Sequence, residues 1–177
     1  DESFARAERV AGPFPALNGI AIDEDGACLV ASSNFSFLRP RGGIFLVRIA
    51  PEAAPARVEP LLDGLGLANG LSYDRRANRF SFTDTLQAAY RLDPPSNTRG
   101  TAARAVPIYR KTAIKEAFDD LCVDAGGRVW MADPVRPCLK VYDPASDSLT
   151  RLRIEGFGQA SSCRIREEGG QEILYVS

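Results

Sequence analysis

Read for the alternation of apolar and polar positions, the chain breaks into short strand-like runs that recur in a fixed order. One unit reads "NGIAIDEDGACLVAS" (18–32), a second "NGLSYDRRANRFSFTD" (69–84), a third "DDLCVDAGGRVWMAD" (119–133) and a fourth "SSCRIREEGGQEILYVS" (161–177). Each opens on a small polar or acidic residue: Asn18, Asn69, Asp119 or Ser161. A strand-length run leads to Asp23, Asp74, Asp124 or Arg166. A turn marked by Gly26, Asn78, Gly126-Gly127 or Gly169-Gly170 comes next, then a second apolar strand. The acids Asp23, Asp74 and Asp124 are placed to satisfy backbone N–H groups in those turns.

The pattern continues outward. A third strand candidate appears as "GIFLVRIAP", "AAYRLDP" and "CLKVYDP", closed each time by a proline: Pro51, Pro94 and Pro144. Proline cannot donate to a sheet ladder, so it marks a strand end. A fourth candidate follows as "RVEPLL", "RAVPIY" and "LTRLRI", where Pro60 and Pro107 suit an edge strand. Helical signals are weak; "YRKTAIKEAF" (109–118) holds at most one turn and more naturally connects two units. Four short strands per unit of about 40–50 residues is the pattern of β-propeller blades. A sandwich or an irregular barrel would not explain the recurrence of the strand–turn–strand unit. The expectation is an all-β chain, one partial propeller domain over 1–177, with blades beginning near 18, 69, 119 and 161. About three and a half blades are present, so the chain is either a four-bladed ring closed by its N-terminal segment or, preferably, a piece of a longer propeller.

Composition narrows the chemistry. There is no histidine, which removes Ser-His-Asp and Cys-His catalysis and every zinc site that needs imidazole. Net charge is -1 with no block of like charge, so no nucleic-acid or anionic-membrane partner is expected. No apolar run reaches the length of a membrane span. Cys28, Cys122, Cys138 and Cys163 have no CxxC spacing and read as small buried hydrophobes with free thiols. Together with an N-terminus lacking a signal-type apolar core, they point to a cytoplasmic protein.

In a propeller the innermost strands line the channel, so residues at equivalent repeat positions converge at one mouth. Here those are Asn18, Asn69, Asp119 and Ser161, all oxygen donors. Hard cations take such ligands. A cation there would polarise a carbonyl and acidify a water, and Asp119 would accept the proton. Bland readings stand beside each of these. Asn69-Gly70 is a common turn pair. Asp119 and Asp120 could end a loop, and strand alternation lets one of them at most reach the channel, leaving Asp120 as the loop or solvent acid. Ser161 and Ser162 read as hydrogen-bonding strand starters, Trp130, Phe80 and Phe82 as packing between blades, and Arg39 and Arg41 as solvent-exposed.

"NGIAIDEDG", "LLDGLGLANGLSYD", "FDDLCVDAGGRVWMAD" and "SSC…LYVS", in this order and spacing, resemble the SMP-30/gluconolactonase/regucalcin-like family. The resemblance runs from about Leu17 to Ser177. It implies an incomplete six-bladed ring with one divalent cation, calcium first and magnesium or zinc as alternatives, at one mouth. It implies a metal-dependent hydrolase of a small lactone or ester. Asn69 would be a metal ligand, Asp119 both ligand and general base, and Asn18 a contact to substrate. Three departures accompany it: the family's first-blade glutamate ligand has no counterpart, a substrate-contacting arginine is Ala16, and the family's Asp-Gly is Asp119-Asp120. The alternative is a non-catalytic scaffold or binding module, or an inactive fragment of such an enzyme.

Overall fold

The computed structural model describes residues 14, 16–33, 42–48, 56–93, 103–113, 116–156 and 158–177. Four antiparallel sheets follow one another along the chain. The first is β1 (Leu17–Ile22), β2 (Cys28–Ser32), β3 (Gly42–Arg48) and β4 (Arg57–Leu65), paired in that order. The second is β5 (Ala68–Asp74), β6 (Arg79–Asp84), β7 (Ala88–Asp93) and β8 (Arg104–Arg110). The third is β9 (Leu121–Val123), β10 (Val129–Ala132), β11 (Cys138–Asp143) and β12 (Ser148–Arg153), and β13 (Cys163–Glu168) pairs with β14 (Gln171–Val176) alone. The inner strands β1, β5, β9 and β13 adjoin in succession. This is a partial propeller of four-stranded blades, as the repeats imply.

The turns form where the sequence allows a left-handed residue. Between the first two strands of each unit, Gly26 (φ 80°), Asn78 (φ 46°), Gly127 (φ 80°) and Gly170 (φ 79°) occupy that region, which glycine and, less readily, asparagine tolerate. The turn acids do what their position suggested. Asp23 Oδ1 accepts from the N–H groups of Asp25 (3.0 Å) and Ala27 (2.7 Å). Asp74 Oδ1 accepts from Arg76 N at 3.0 Å. Asp124 accepts from Arg128 N (2.9 Å), Arg128 Nε (2.6 Å) and the Trp130 indole (2.9 Å). Pro60 and Pro107 lie on β4 and β8, the outer edges of their sheets, where a missing N–H costs no ladder bond.

Blades pack face to face. Leu29, Ile44 and Leu46 of the first meet Leu71, Phe82 and Tyr90 of the second, with the Phe82 and Tyr90 rings stacked at 5.0 Å. Ala89 of the second meets Phe118, Leu121 and Met131 of the third. Cys122 and Leu139 of the third meet Cys163 of the fourth, with Trp130 packed alongside. All four cysteines are buried and free. The "YRKTAIKEAF" segment shows no helix among its described residues: it ends β8 and then runs as a connector into β9. No helix is long and apolar enough to cross a membrane among the described residues. Arg39 and Arg41 lie outside the described residues.

Candidate functional site

Two irregularities aim the first site residues. The β1–β2 register shifts between Leu17 and Gly19, and the β5–β6 register shifts between Ala68 and Leu71. These bulges fall at the same repeat position and bracket Asn18 and Asn69; a bulge bends its strand and re-aims a side chain. Gly19 and Gly70 follow them, and neither can be replaced in place. A Cβ on Gly19 would meet the Asn69 carbonyl, and one on Gly70 would lie 2.6 Å from Asp120 Oδ1. Glycine is therefore what lets each inner strand press against the next. Asn69-Gly70 lies inside β5 and the glycine lacks a positive φ, so the turn reading of that pair does not hold.

Asp119 is fixed by its backbone from both sides. Its N–H donates to Ala132 O at 3.0 Å within the third blade. Its carbonyl accepts from Gly70 N at 3.3 Å and from the Thr83 hydroxyl, both in the second. Just upstream, the buried Lys140 ammonium donates to Ala117 O at 2.6 Å, pairs with the buried Asp133 at 2.8 Å and sits 4.9 Å from the centre of the Phe118 ring. The half-buried Asp119 side chain thus projects from an anchored segment.

Asn18, Asn69, Asp119 and Ser161 line one cavity of about 310 Å³. The structure thus brings together every residue that the repeat singled out. Asn18 Nδ2 donates to Ser33 Oγ (2.6 Å) and Ala68 O (3.3 Å), tying the first blade to the second. Asn69 Nδ2 donates to Thr85 Oγ1 at 3.0 Å. With those N–H groups spent on protein, the carbonyl oxygens are the ends with lone pairs to give. Ser161 N and Oγ both donate to Ser177 O, at 2.7 and 3.2 Å, which is strand-starter bonding.

Asp120 corrects the expectation. It does lie in the loop before β9, but it does not face solvent: it is 6% exposed. Its Oδ1 accepts from Leu121 N at 2.9 Å; its Oδ2 accepts from Ser162 Oγ at 2.5 Å and pairs with Arg164 Nη1. Alternation did not apply because 116–120 precede β9 and are not strand, so neighbouring side chains need not oppose. Arg164 is the residue that sequence reasoning missed. A signal existed: it occupies the repeat position of Ala21, Ser72 and Cys122, all small, just as Asp120 occupies that of Gly19 and Gly70. The two departures from small residues meet each other in space.

Electrostatically the mouth holds Asp119, Asp120 and Arg164. Arg164 neutralises Asp120, so among the described residues that line the mouth one carboxylate remains, that of Asp119. Burial pushes the Asp119 carboxyl above its ordinary value; the Asn69 amide beside it pulls the other way, and the like charge of Asp120 adds to the rise. A cation would relieve that burden. The donor chemistry, amide and carboxylate oxygens with no imidazole or thiolate at the mouth, fits calcium or magnesium better than zinc. Among the described residues no group of three His, Cys, Asp or Glu side chains could hold a metal. Asn69 and Asp119 could by themselves supply only part of a coordination sphere; calcium, which takes roughly six to eight oxygens, would need water and further oxygens.

Comparison with known proteins agrees with this architecture. The family model described as SMP-30/gluconolactonase/LRE-like region matches residues 2–177. A curated pentonolactonase of Haloferax volcanii is 26% identical over 125 residues, covering 65% of this chain and 43% of that protein. The structure of a Xanthomonas campestris gluconolactonase superposes with a TM-score of 0.67 at 18% identity, covering 99% of this chain and 60% of its own. An Agrobacterium tumefaciens regucalcin, described as a calcium-binding protein, superposes with a TM-score of 0.65 at 20% identity, covering 83% of this chain and 48% of its own. The chain thus spans about half the length of the relatives it matches.

Proposed function

The chain belongs to the SMP-30/gluconolactonase family, and from that premise we propose that it forms the metal-binding half of a six-bladed, cation-dependent hydrolase of small lactones. The observation that carries this reading is the convergence of Asn18, Asn69 and Asp119 on one cavity, with Asp119 half-buried and its carboxyl raised.

Asn69 and Asp119 would hold the cation, preferably calcium. When bound, it supplies polarisation of the lactone carbonyl and acidification of a water. Asp119 would accept a proton from the attacking water as the water oxygen adds to the acyl carbon. The ring C–O bond then breaks, Asp119 returns its proton to the departing ring oxygen, which leaves as a hydroxyl, and the product is a hydroxy acid. Asn18 sits across the same cavity and orients the substrate. Asp120 takes no proton in this scheme, since its oxygens are committed to Leu121, Ser162 and Arg164.

The test is hydrolysis of small aldonolactones with calcium, with chelator, and in Asp119→Ala. Loss of the base and ligand together should lower kcat by about 10²–10⁴-fold, and chelation should do the same reversibly. A second reading, a non-catalytic binding module, is favoured by the single unpaired carboxylate at the mouth. No turnover at all would favour it, whereas turnover indifferent to both chelator and Asp119→Ala would overturn the cation-and-Asp119 mechanism.

A further inference from the structure

Below the cavity that holds Asn69 and Asp119 lies a second of about 270 Å³, lined by Ala21, Ser72 and Cys122. A third of about 470 Å³, sharing Tyr73 and Ile165 with the second, opens toward Arg76 and Glu172. The three follow the inner strands from one end to the other. Arg164 lines both the first and the second.

We propose that Arg164, clamped by Asp120, is a plug across this channel that sets the depth of the site and so the length of substrate it admits. Three blades hold the plug. Arg164 Nη2 donates to Leu71 O at 3.1 Å in the second blade. Nη1 pairs with Asp120 and donates to Leu121 O at 3.2 Å in the third, and to Cys163 O at 2.8 Å in its own. The residues at the same repeat position, Ala21, Ser72 and Cys122, are too short to bridge blades in this way. Asp120 is equally an exception among its counterparts. Where Gly19 and Gly70 leave no room for a side chain, Asp120 has one, and Ser162 and Arg164 receive it. A buried carboxylate without its cation is costly, and a guanidinium that bonds three carbonyls and a carboxylate gives up all four contacts when it swings aside.

The consequence for substrate rests on the lactonase reading; the plug itself does not. A compact polar lactone fits above Arg164. An alkyl tail reaching past it would have to break charged hydrogen bonds and return none, so long-chain lactones are excluded.

Two readouts on the full chain separate the claims. The first needs no activity: the rate at which a small thiol reagent, methyl methanethiosulfonate, modifies Cys122 beneath the plug, with the buried Cys28 of the first blade as internal control. Wild type and Arg164→Lys should react slowly at both. Arg164→Ala, and the paired variant Asp120→Ser/Arg164→Ser, should gain about tenfold or more at Cys122 alone. No gain at Cys122, or an equal gain at Cys28, overturns the plug. The second is the ratio of kcat/KM for γ-dodecalactone over γ-butyrolactone, which should rise about tenfold or more in the same variants. An unchanged ratio overturns the specificity role. Selective labelling of Cys122 in a protein that hydrolyses no lactone leaves the plug standing and removes the lactonase reading instead.

Discussion

Replacing Lys140 by Met puts the anchoring of the Asp119 segment to a quantitative test. Lys140 and Asp133 are each 1% exposed, 2.8 Å apart. At that separation and an effective dielectric of about 20, the attraction is about 6 kcal/mol. Much of it only offsets the cost of removing both charges from water, so deleting the pair as a unit should be nearly neutral. Deleting one partner differs. In Lys140→Met, Asp133 keeps the N–H of Val135 at 2.9 Å and the weak Cys138 thiol at 3.8 Å, but no cation. Ala117 O also loses its donor. The expected loss is about 3–5 kcal/mol, with Asp133→Asn/Lys140→Met recovering at least about 2 kcal/mol of it. The assay is urea unfolding followed by Trp130, the chain's single tryptophan, itself in the third blade. A loss under about 1 kcal/mol, or a double variant no more stable than the single, would refute the account of the buried pair.

Other outcomes follow from the same contacts. Gly70→Ala should cost about 1–3 kcal/mol, because its Cβ cannot fit against Asp120 unless the inner strands separate; a melting temperature equal to wild type would show the strands are not so tightly apposed. Asp124→Ala strands the Trp130 indole and two Arg128 donors and should cost about 1–3 kcal/mol by the same urea assay. Burial alone would raise the Asp124 carboxyl, but the Trp130 indole and the Arg128 donors outweigh it and hold the group below its ordinary value. That stability is present above the unfolded-state value near 3.9 and is lost as pH falls through the lower folded value. Asp124→Asn should therefore show a shallower acid-unfolding profile below about pH 4, read by circular dichroism; an unchanged profile contradicts the assignment.

The fold was legible because its signals are local and periodic. The turn residues Gly26, Asn78 and Gly127 and the edge prolines Pro60 and Pro107 each announce a backbone requirement that the neighbouring sequence meets. The convergence of Asn18, Asn69 and Asp119 was legible for the same reason, since repeat register maps onto position at the channel mouth. What escaped was pairing between elements far apart in sequence. Nothing near Asp120 names Arg164 as its partner, and Lys140 reads as an ordinary strand lysine until Asp133 and Ala117 surround it. Asp120 also defeated the alternation rule, which holds only within a strand, and β9 begins one residue later.

A cation site formed by Asn69 and Asp119 at the channel mouth is what the proposed chemistry depends on. Calorimetric titration of the metal-free protein with calcium, beside Asp119→Asn, tests it most directly. The expected result is saturable binding that Asp119→Asn abolishes or weakens by about a hundredfold, the effect of removing the carboxylate left unpaired there among the described residues. No saturable binding in the wild type, or equal affinity in Asp119→Asn, would contradict it.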